Sequence, residues 1–393
     1  MTTMRFTLAA AAILFASTAM ARAEAVKLGY LTDTSGPTQD ISKPSLEGFN
    51  LYIDRINKAG GVNGRKIELD IRDTGIDTAR AVATAQELVA GGAIAIIGLP
   101  LSTVQAGVYA AMERNNVPVI AGYPSNIGLV LPPAKANAFA TGIVFDLAGY
   151  IGGELSRDAA PKGKTMVCTS FESPGGIVSC KGAVAAAKLK GFEIAEAVMF
   201  PIPTRDFRAI AERITALKPD VVLTVLGRSR TIAMVPALAA AGYEGAVVSM
   251  EAGTGDDAVR EVAKAAPKID MWSYTRFVSQ GYGDGPQVAA LEKAVKEAGI
   301  KEWISVHSGG WALGMLVEDV IKRCASPCTS EKFQSALEQT KMETGGLTGA
   351  PIQFTKDDHY GPTTFMLVHY DRASDKMVPL KGWRPYSSTL PKF

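Results

Sequence analysis

The side chains best suited to chemistry sit in short loops that follow apolar runs. Ser102 and Thr103 come just after Ala93-Ile94-Ala95-Ile96-Ile97-Gly98, where a helix is expected to begin. Free N–H groups and the helix dipole at such a start favour an anion, and a hydroxyl adds a donor. Ser125, next to Asn126, offers a second hydroxyl after Val117-Pro118-Val119-Ile120. The plain alternative for these hydroxyls is ordinary N-capping. Arg228, in Leu226-Gly227-Arg228-Ser229-Arg230, is suited to a bidentate grip on an acid group. Glu251, after Ala246-Val247-Val248-Ser249, is suited to accept from an ammonium or an amide. For both, the alternative is a solvated rim charge, the commoner state of Arg and Glu. Phe171, Tyr123, Trp272 and Tyr274 are candidates for an apolar or stacking wall, with core or hinge packing as the alternative.

Signatures of catalysis are missing. The chain has no G-x-S-x-G elbow and no G-x-x-x-x-G-K-[ST] phosphate loop. Its first strand runs into Thr32-Asp33-Thr34-Ser35-Gly36-Pro37, not into a dinucleotide-binding glycine turn. His307, His359 and His369 are scattered, so a triad has no support. No catalytic residue, cofactor or metal is expected. A net charge of +2 over 393 residues gives no electrostatic case for nucleic acid or an anionic membrane.

Strands and helices alternate in the elements that must position these loops. Val26–Leu31 reads as a strand, and a helix follows from about Ser45 to Ala59, with Leu46, Phe49, Ile53 and Ile56 on one face. Gly60-Gly61 stops it. Ile67–Arg72 is the next strand, and Asp77 caps a helix reaching Gly91. After the strand ending at Gly98, a helix runs to about Asn115, and Val117–Ile120 is a strand. A second series repeats the rhythm. Its strands are 164–168, 219–225 and 246–249; its helices are 176–190, 206–217 with Asp206 as cap, 229–241 and 255–265. Two such series imply two doubly wound α/β lobes with parallel sheets. The tail departs from this, with helices over 311–324 and 330–340, a hairpin of 364–370 with 376–378, and an extended end.

The N-terminus carries Arg5, an apolar run from Phe6 to Met20, and Ala21-Arg22-Ala23. That is the form of a cleaved export signal over residues 1–23. An exported chain meets an oxidising compartment, where disulfides persist. Proximity in sequence favours Cys168–Cys180 and Cys324–Cys328, although an even count permits other pairings. A metal site is the rival use of these thiols, but no histidine lies near them in sequence.

The most specific stretch is Ile56-Asn57-Lys58-Ala59-Gly60-Gly61-Val62-Asn63-Gly64-Arg65-Lys66-Ile67-Glu68-Leu69. It resembles a signature of periplasmic solute-binding proteins of the branched-chain amino acid (Leu/Ile/Val) ABC transporter family. Leu31–Pro37, Asp73–Asp77, Ile94–Gly98 with Ser102, Pro118–Ile120 and Thr204-Arg205-Asp206-Phe207 fall in the family's usual places. The resemblance implies the type I fold: two doubly wound α/β lobes joined by three crossovers, with ligand in the interlobe cleft. It implies lobe one over 24–143 and 277–361, and lobe two over 144–276 and 362–393. It further implies a carboxylate held by Ser102, Ser125 and the backbone of Leu101 and Tyr123, and an ammonium held by Glu251. Phe171 matches an aromatic position only loosely. Arg228 and Tyr123 stand where other residues are common, which counts against a leucine-like ligand and leaves room for an acidic, amide or aromatic-acid one. The implied partners are an amino acid, amide or organic acid and an inner-membrane ABC permease, for a periplasmic monomer. A sensor feeding a chemoreceptor or signalling partner is the alternative.

Overall fold

A computed structural model of the chain describes residues 24–122, 127–250 and 256–385. The export-signal expectation therefore lies outside the described residues. The first sheet holds β1 (Val26–Thr32), β2 (Ile67–Asp73), β3 (Ile96–Gly98), β4 (Val119–Ala121) and β5 (Ala138–Ala140), all parallel, in the order β2-β1-β3-β4-β5. Helices α1 (Gln39–Lys58), α2 (Thr78–Ala90), α3 (Ser102–Glu113) and the short α4 (Ile127–Val130) connect these strands.

The second sheet has a parallel part made of β6 (Thr165–Phe171), β7 (Ile194–Phe200), β8 (Val221–Thr224), β9 (Ala246–Met250) and β10 (Asp270–Thr275). Its helices are α5 (Phe145–Ala159), α6 (Pro174–Leu189), α7 (Arg208–Ala216), α8 (Arg228–Ala240) and α9 (Asp256–Ala265). The chain then returns to the first lobe with α10 (Pro286–Glu297), α11 (Ser305–Arg323), α12 (Ser330–Leu337) and the two-residue ribbon β11 (Lys341–Met342) with β12 (Ile352–Gln353). It ends as an antiparallel hairpin, β13 (Thr364–Asp371) with β14 (Lys376–Pro385), beside β10. The full order is β14-β13-β10-β9-β8-β6-β7.

Read from β6, the parallel part repeats the winding of the first sheet, with the first strand between the second and the third. In both sheets successive residues feed opposite cores: Tyr30 and Leu31, Ile97 and Ile96, Val167 and Met166, Val222 and Leu223. Helices cover both faces, which is why these strands read as unbroken apolar runs. Both expected disulfides are present, Cys168–Cys180 and Cys324–Cys328, and leave no free thiol for a metal.

The lobes are joined three times: after β5, after β10, and before β13. At the joints, the buried Arg276 donates from Nη1 to the carbonyl of Thr141 at 2.5 Å, and Gly361 donates to Ala140 at 3.2 Å. Next to this junction His359 is fully buried and stacked on Phe139 at 4.1 Å. Its Nδ1 lies 2.9 Å from the carbonyl of Ala138 and 3.1 Å from that of Lys135, so Nδ1 carries the proton of a neutral ring. Burial is the main cause of a pKa below the ordinary 6.5, opposed by these carbonyls and by Glu338 and Asp358. A depressed folded pKa means the unfolded chain takes the proton first as pH falls. The contribution of His359 to stability is therefore intact above pH 6.5 and lost as pH falls from there through the folded pKa. In urea titrations from pH 7.5 down to 5, His359→Gln should show a shallower acid loss than the parent; an identical slope would contradict this.

Some helix starts differ from the sequence reading, and others agree with it. α1 begins at Gln39, ahead of Pro44, instead of at Ser45. The reason is the buried Asp33, whose carboxylate accepts from Gly36 N (2.6 Å), Thr38 N (2.9 Å) and Thr38 Oγ1 (2.7 Å) and so organises the entry. α3 opens at Ser102, as expected, with Leu101 as a cap that makes no side-chain bond. At α7 the cap is Phe207, and Asp206 accepts from Arg208 N at 3.1 Å just ahead of it. Asp77 does cap α2, accepting from Arg80 N at 3.0 Å.

Candidate functional site

In an open α/β sheet, a ligand binds beyond the strand C-ends where the winding reverses. In the first lobe that point lies between β1 and β3, and in the second between β6 and β8. The residues there are the Asp33–Asp40 loop, Leu99–Ser102, Phe171 and Leu226–Arg230.

The β3 exit is strained. Gly98 has φ of 95° and Leu99, fully buried, has φ of 70°. Such an angle is unusual for leucine and persists only when its surroundings enforce it. Leu99 N donates to Leu31 O at 2.9 Å, and its carbonyl accepts from Gln105 Nε2 at 3.1 Å. This bend delivers Leu101 and Ser102, both half-buried, to the start of α3.

Several hydroxyls of the loops are already committed. Asp73 Oδ2 accepts from Thr34 N (3.2 Å), Thr34 Oγ1 (2.7 Å) and Ser35 Oγ (3.1 Å), while Oδ1 accepts from Gly75 N at 3.0 Å. Burial raises the Asp73 pKa, but these donors outweigh it and hold the carboxyl below its ordinary value. The loops after β1 and β2 thus brace each other.

On the second lobe, Phe171 closes β6 and packs edge-on against Phe200 at 5.1 Å. The guanidinium of Arg230 lies over the Phe171 ring at 4.8 Å. Arg228 opens α8 and is half-buried. The lobes meet here: Ser229 N, in the first turn of α8, donates to Asp40 Oδ2, in the first turn of α1, at 3.1 Å. Around this contact lies a cavity of about 420 Å³, walled by Ser35–Pro37, Gln39 and Asp40 on one side and by Ile202, Pro203, Arg205, Ser229 and Arg230 on the other. Grooves of about 450 and 630 Å³ run beside the edge strands β2 and β7, away from both reversal points.

Leu101, Ser102, Phe171 and Arg228 therefore all stand at strand ends or helix starts beside the reversal points. Tyr123, Ser125 and Glu251 lie outside the described residues. Two wall candidates go elsewhere. Tyr274 is fully buried and donates to the Ala148 carbonyl at 2.9 Å, and Trp272 donates to Asp270 Oδ2 at 2.7 Å and packs on His369. Both are packing residues, because β10 lies between β9 and β13, away from the β6–β8 reversal. Asp40, Arg205 and Arg230 are cavity residues that motif reading passed over; Arg230 lay two residues beyond Arg228 on the same helical turn. Among the described residues, no cluster of three His, Cys, Asp or Glu is placed to hold a metal ion.

Comparison with known proteins agrees with this architecture. The family model described as periplasmic binding protein matches residues 25–376. A Leu/Ile/Val-binding protein homolog 7 of Brucella melitensis biotype 1 is 26% identical over 301 residues, covering 73% of this chain and 74% of that one. A branched-chain amino acid ABC transporter structure from Thermus thermophilus with bound valine aligns with a TM-score of 0.82 at 17% identity, covering 93% and 98% of the two chains. A solute-binding protein of an ABC transporter from R. palustris, in complex with benzoate, aligns at 0.75 and 20%, covering 91% and 95%. The relatives are solute-binding proteins and not enzymes. The chain belongs to the periplasmic binding protein family.

Proposed function

We propose that this chain is the extracytoplasmic substrate-binding component of an ABC importer. It takes a small carboxylate-bearing solute, an amino acid or a related acid or amide, in the cleft and delivers it to the membrane permease. The observation that carries the reading is a cavity between the loop after β1 and the start of α8, beside the two reversal points and bridged by Asp40 and Ser229. Residues 24–143 and 277–361 form lobe one, and 144–276 and 362–393 lobe two. Their support is the partition of strands between two sheets and the three joints. Ser102 and Ser125, with the backbone of Leu101 and Tyr123, hold the carboxylate. Glu251 takes an ammonium, Arg228 an acid group, and Phe171 supplies a wall. The protein works as a periplasmic monomer, exported by residues 1–23.

A thermal-shift screen of the purified protein against amino acids, dicarboxylates, amides and aromatic acids tests the reading. A ligand that binds only the native state raises the midpoint by mass action, by about 2.7 kcal/mol of stability at a hundredfold excess over Kd. The ligand that gives the shift should bind Ser102→Ala more weakly by about 1–3 kcal/mol, the loss of one buried hydrogen bond to a charged group. Unchanged affinity would remove Ser102 from the site. No shift with any carboxylate, from protein stripped of bound ligand by unfolding and refolding, would defeat the ligand class.

A further inference from the structure

We infer that the cleft contains a second anion subsite, formed by Arg230 with Arg205, and that the solute carries two acidic groups. This rests on the reading of the cleft as the site of a carboxylate ligand and narrows its class. The two guanidiniums come from separate connections: Arg205 from the loop between β7 and α7, Arg230 from the first turn of α8. Both line the cavity opposite the start of α1.

Arg230 is placed as a receptor. Its plane is supported by the ring of Phe171, 4.8 Å away, as is common for arginines that present a fork to a ligand. Its Nε is buried and has no hydrogen-bond partner among the described residues. A desolvated charged donor without an acceptor is unfavourable, and the geometry of the fork suits a carboxylate. Structural arginines of this protein are anchored by hydrogen bonds, even where, as in Arg65 and Arg384, one buried nitrogen is left over. Arg372, for example, donates to the carbonyls of Ala263, Ala266 and Ile269 at 2.6–3.2 Å.

The charge balance points the same way. Among the residues lining the cavity, Asp40 is the only acid, and its Oδ2 is engaged by Ser229 N. Two cations against one carboxylate leave an excess positive charge for an anion to neutralise. Burial is the first cause of an Arg230 pKa below its ordinary value, the charge of Arg205 the second, and Asp40 opposes both. An incoming carboxylate offsets both by supplying an opposite charge and an acceptor. The first acidic group of the solute belongs at Ser102, so a compact molecule with an acid at each end spans the two lobes and favours their closure.

The test is calorimetric titration of the purified protein with matched pairs that differ by one charge: succinate and succinamate, glutarate and glutaramate, L-glutamate and L-glutamine. In at least one pair the diacid should bind tenfold or more tightly than its monoamide. Arg230→Gln should bring that ratio close to one, and Arg230→Lys, which keeps the charge without the fork, should leave it in between. Arg205→Gln should reduce the ratio less, because Arg205 is exposed. Equal affinity within every pair, or a ratio that survives Arg230→Gln in folded protein, overturns the inference. Binding of leucine or benzoate but of no diacid overturns it too and leaves the carboxylate reading standing. Binding of no carboxylate at all removes both.

Discussion

Gly149→Ala should destabilise the protein by about 3 kcal/mol, the upper part of the range for overpacked cores. A methyl at this position would sit 1.8 Å from the carbonyl oxygen of Ser179, across the contact of α5 with α6. One turn later, a methyl on Gly153 would sit 2.3 Å from the carbonyl of Ala183. The obstacle is backbone on both occasions, so no rotamer change relieves it. Nor can α6 back away freely. It is bonded to β6 through Cys168–Cys180, and Ser179 Oγ donates to Phe145 O at 2.7 Å. The sign makes this a sharp test, since Gly to Ala in an exposed helix stabilises by about 1 kcal/mol. A urea midpoint equal to or above that of the parent would show that the helices separate without resistance.

Arg65→Ala should also lose about 3 kcal/mol, the scale of a charged group's hydrogen bonds, for a different reason. Arg65 is 6% exposed and donates from Nη2 to the carbonyls of Ile321 (2.7 Å) and Cys324 (3.1 Å), at the end of α11. The Cys324 carbonyl lies past the last helical turn, the Ile321 carbonyl otherwise has only a long bond from Cys324 N at 3.3 Å, and a cation there also meets the negative end of the helix dipole. Neighbours in the same segment do related work. Asn63 Nδ2 donates to Lys322 O at 3.3 Å, and the Asn57 amide brackets Ile67 through both N and O. Arg65→Lys should recover only part of the loss, because one ammonium lacks the fork. Calorimetry should find ligand affinity of the folded variant unchanged; a large loss of affinity would mean that this segment reaches the cleft. The most family-specific segment of the sequence thus braces the scaffold.

Much of the architecture was legible from local pattern. Buried parallel strands such as β3 (Ile96–Gly98) and β9 (Ala246–Met250) lie in continuous apolar runs, and their loops begin with residues that favour turns and helix starts. What escaped is instructive. α5 carries Gly149, Gly152 and Gly153, which argue against a helix until a second helix is seen to pack against them. β5 is only Ala138-Phe139-Ala140, too short to signal itself. β7 lies at a sheet edge with Ile194 and Glu196 exposed, so its pattern is mixed.

By itself the sequence determined the alternation of strand and helix, the absence of catalytic motifs and the resemblance to a binding-protein family, and it favoured the pairing of nearby cysteines. These depend on residues close together in the chain, where periodicity and spacing act directly. Only the tertiary structure decided which polar side chains face one another. Thr34 and Ser35 proved to be committed to Asp73, Tyr274 and Trp272 to packing, and Asp40 to a contact with Ser229 nearly half the chain away. Whether an arginine is a brace, like Arg65, or a receptor, as argued for Arg230, depends on which acceptors folding brings within reach, and that is a property of distance in space.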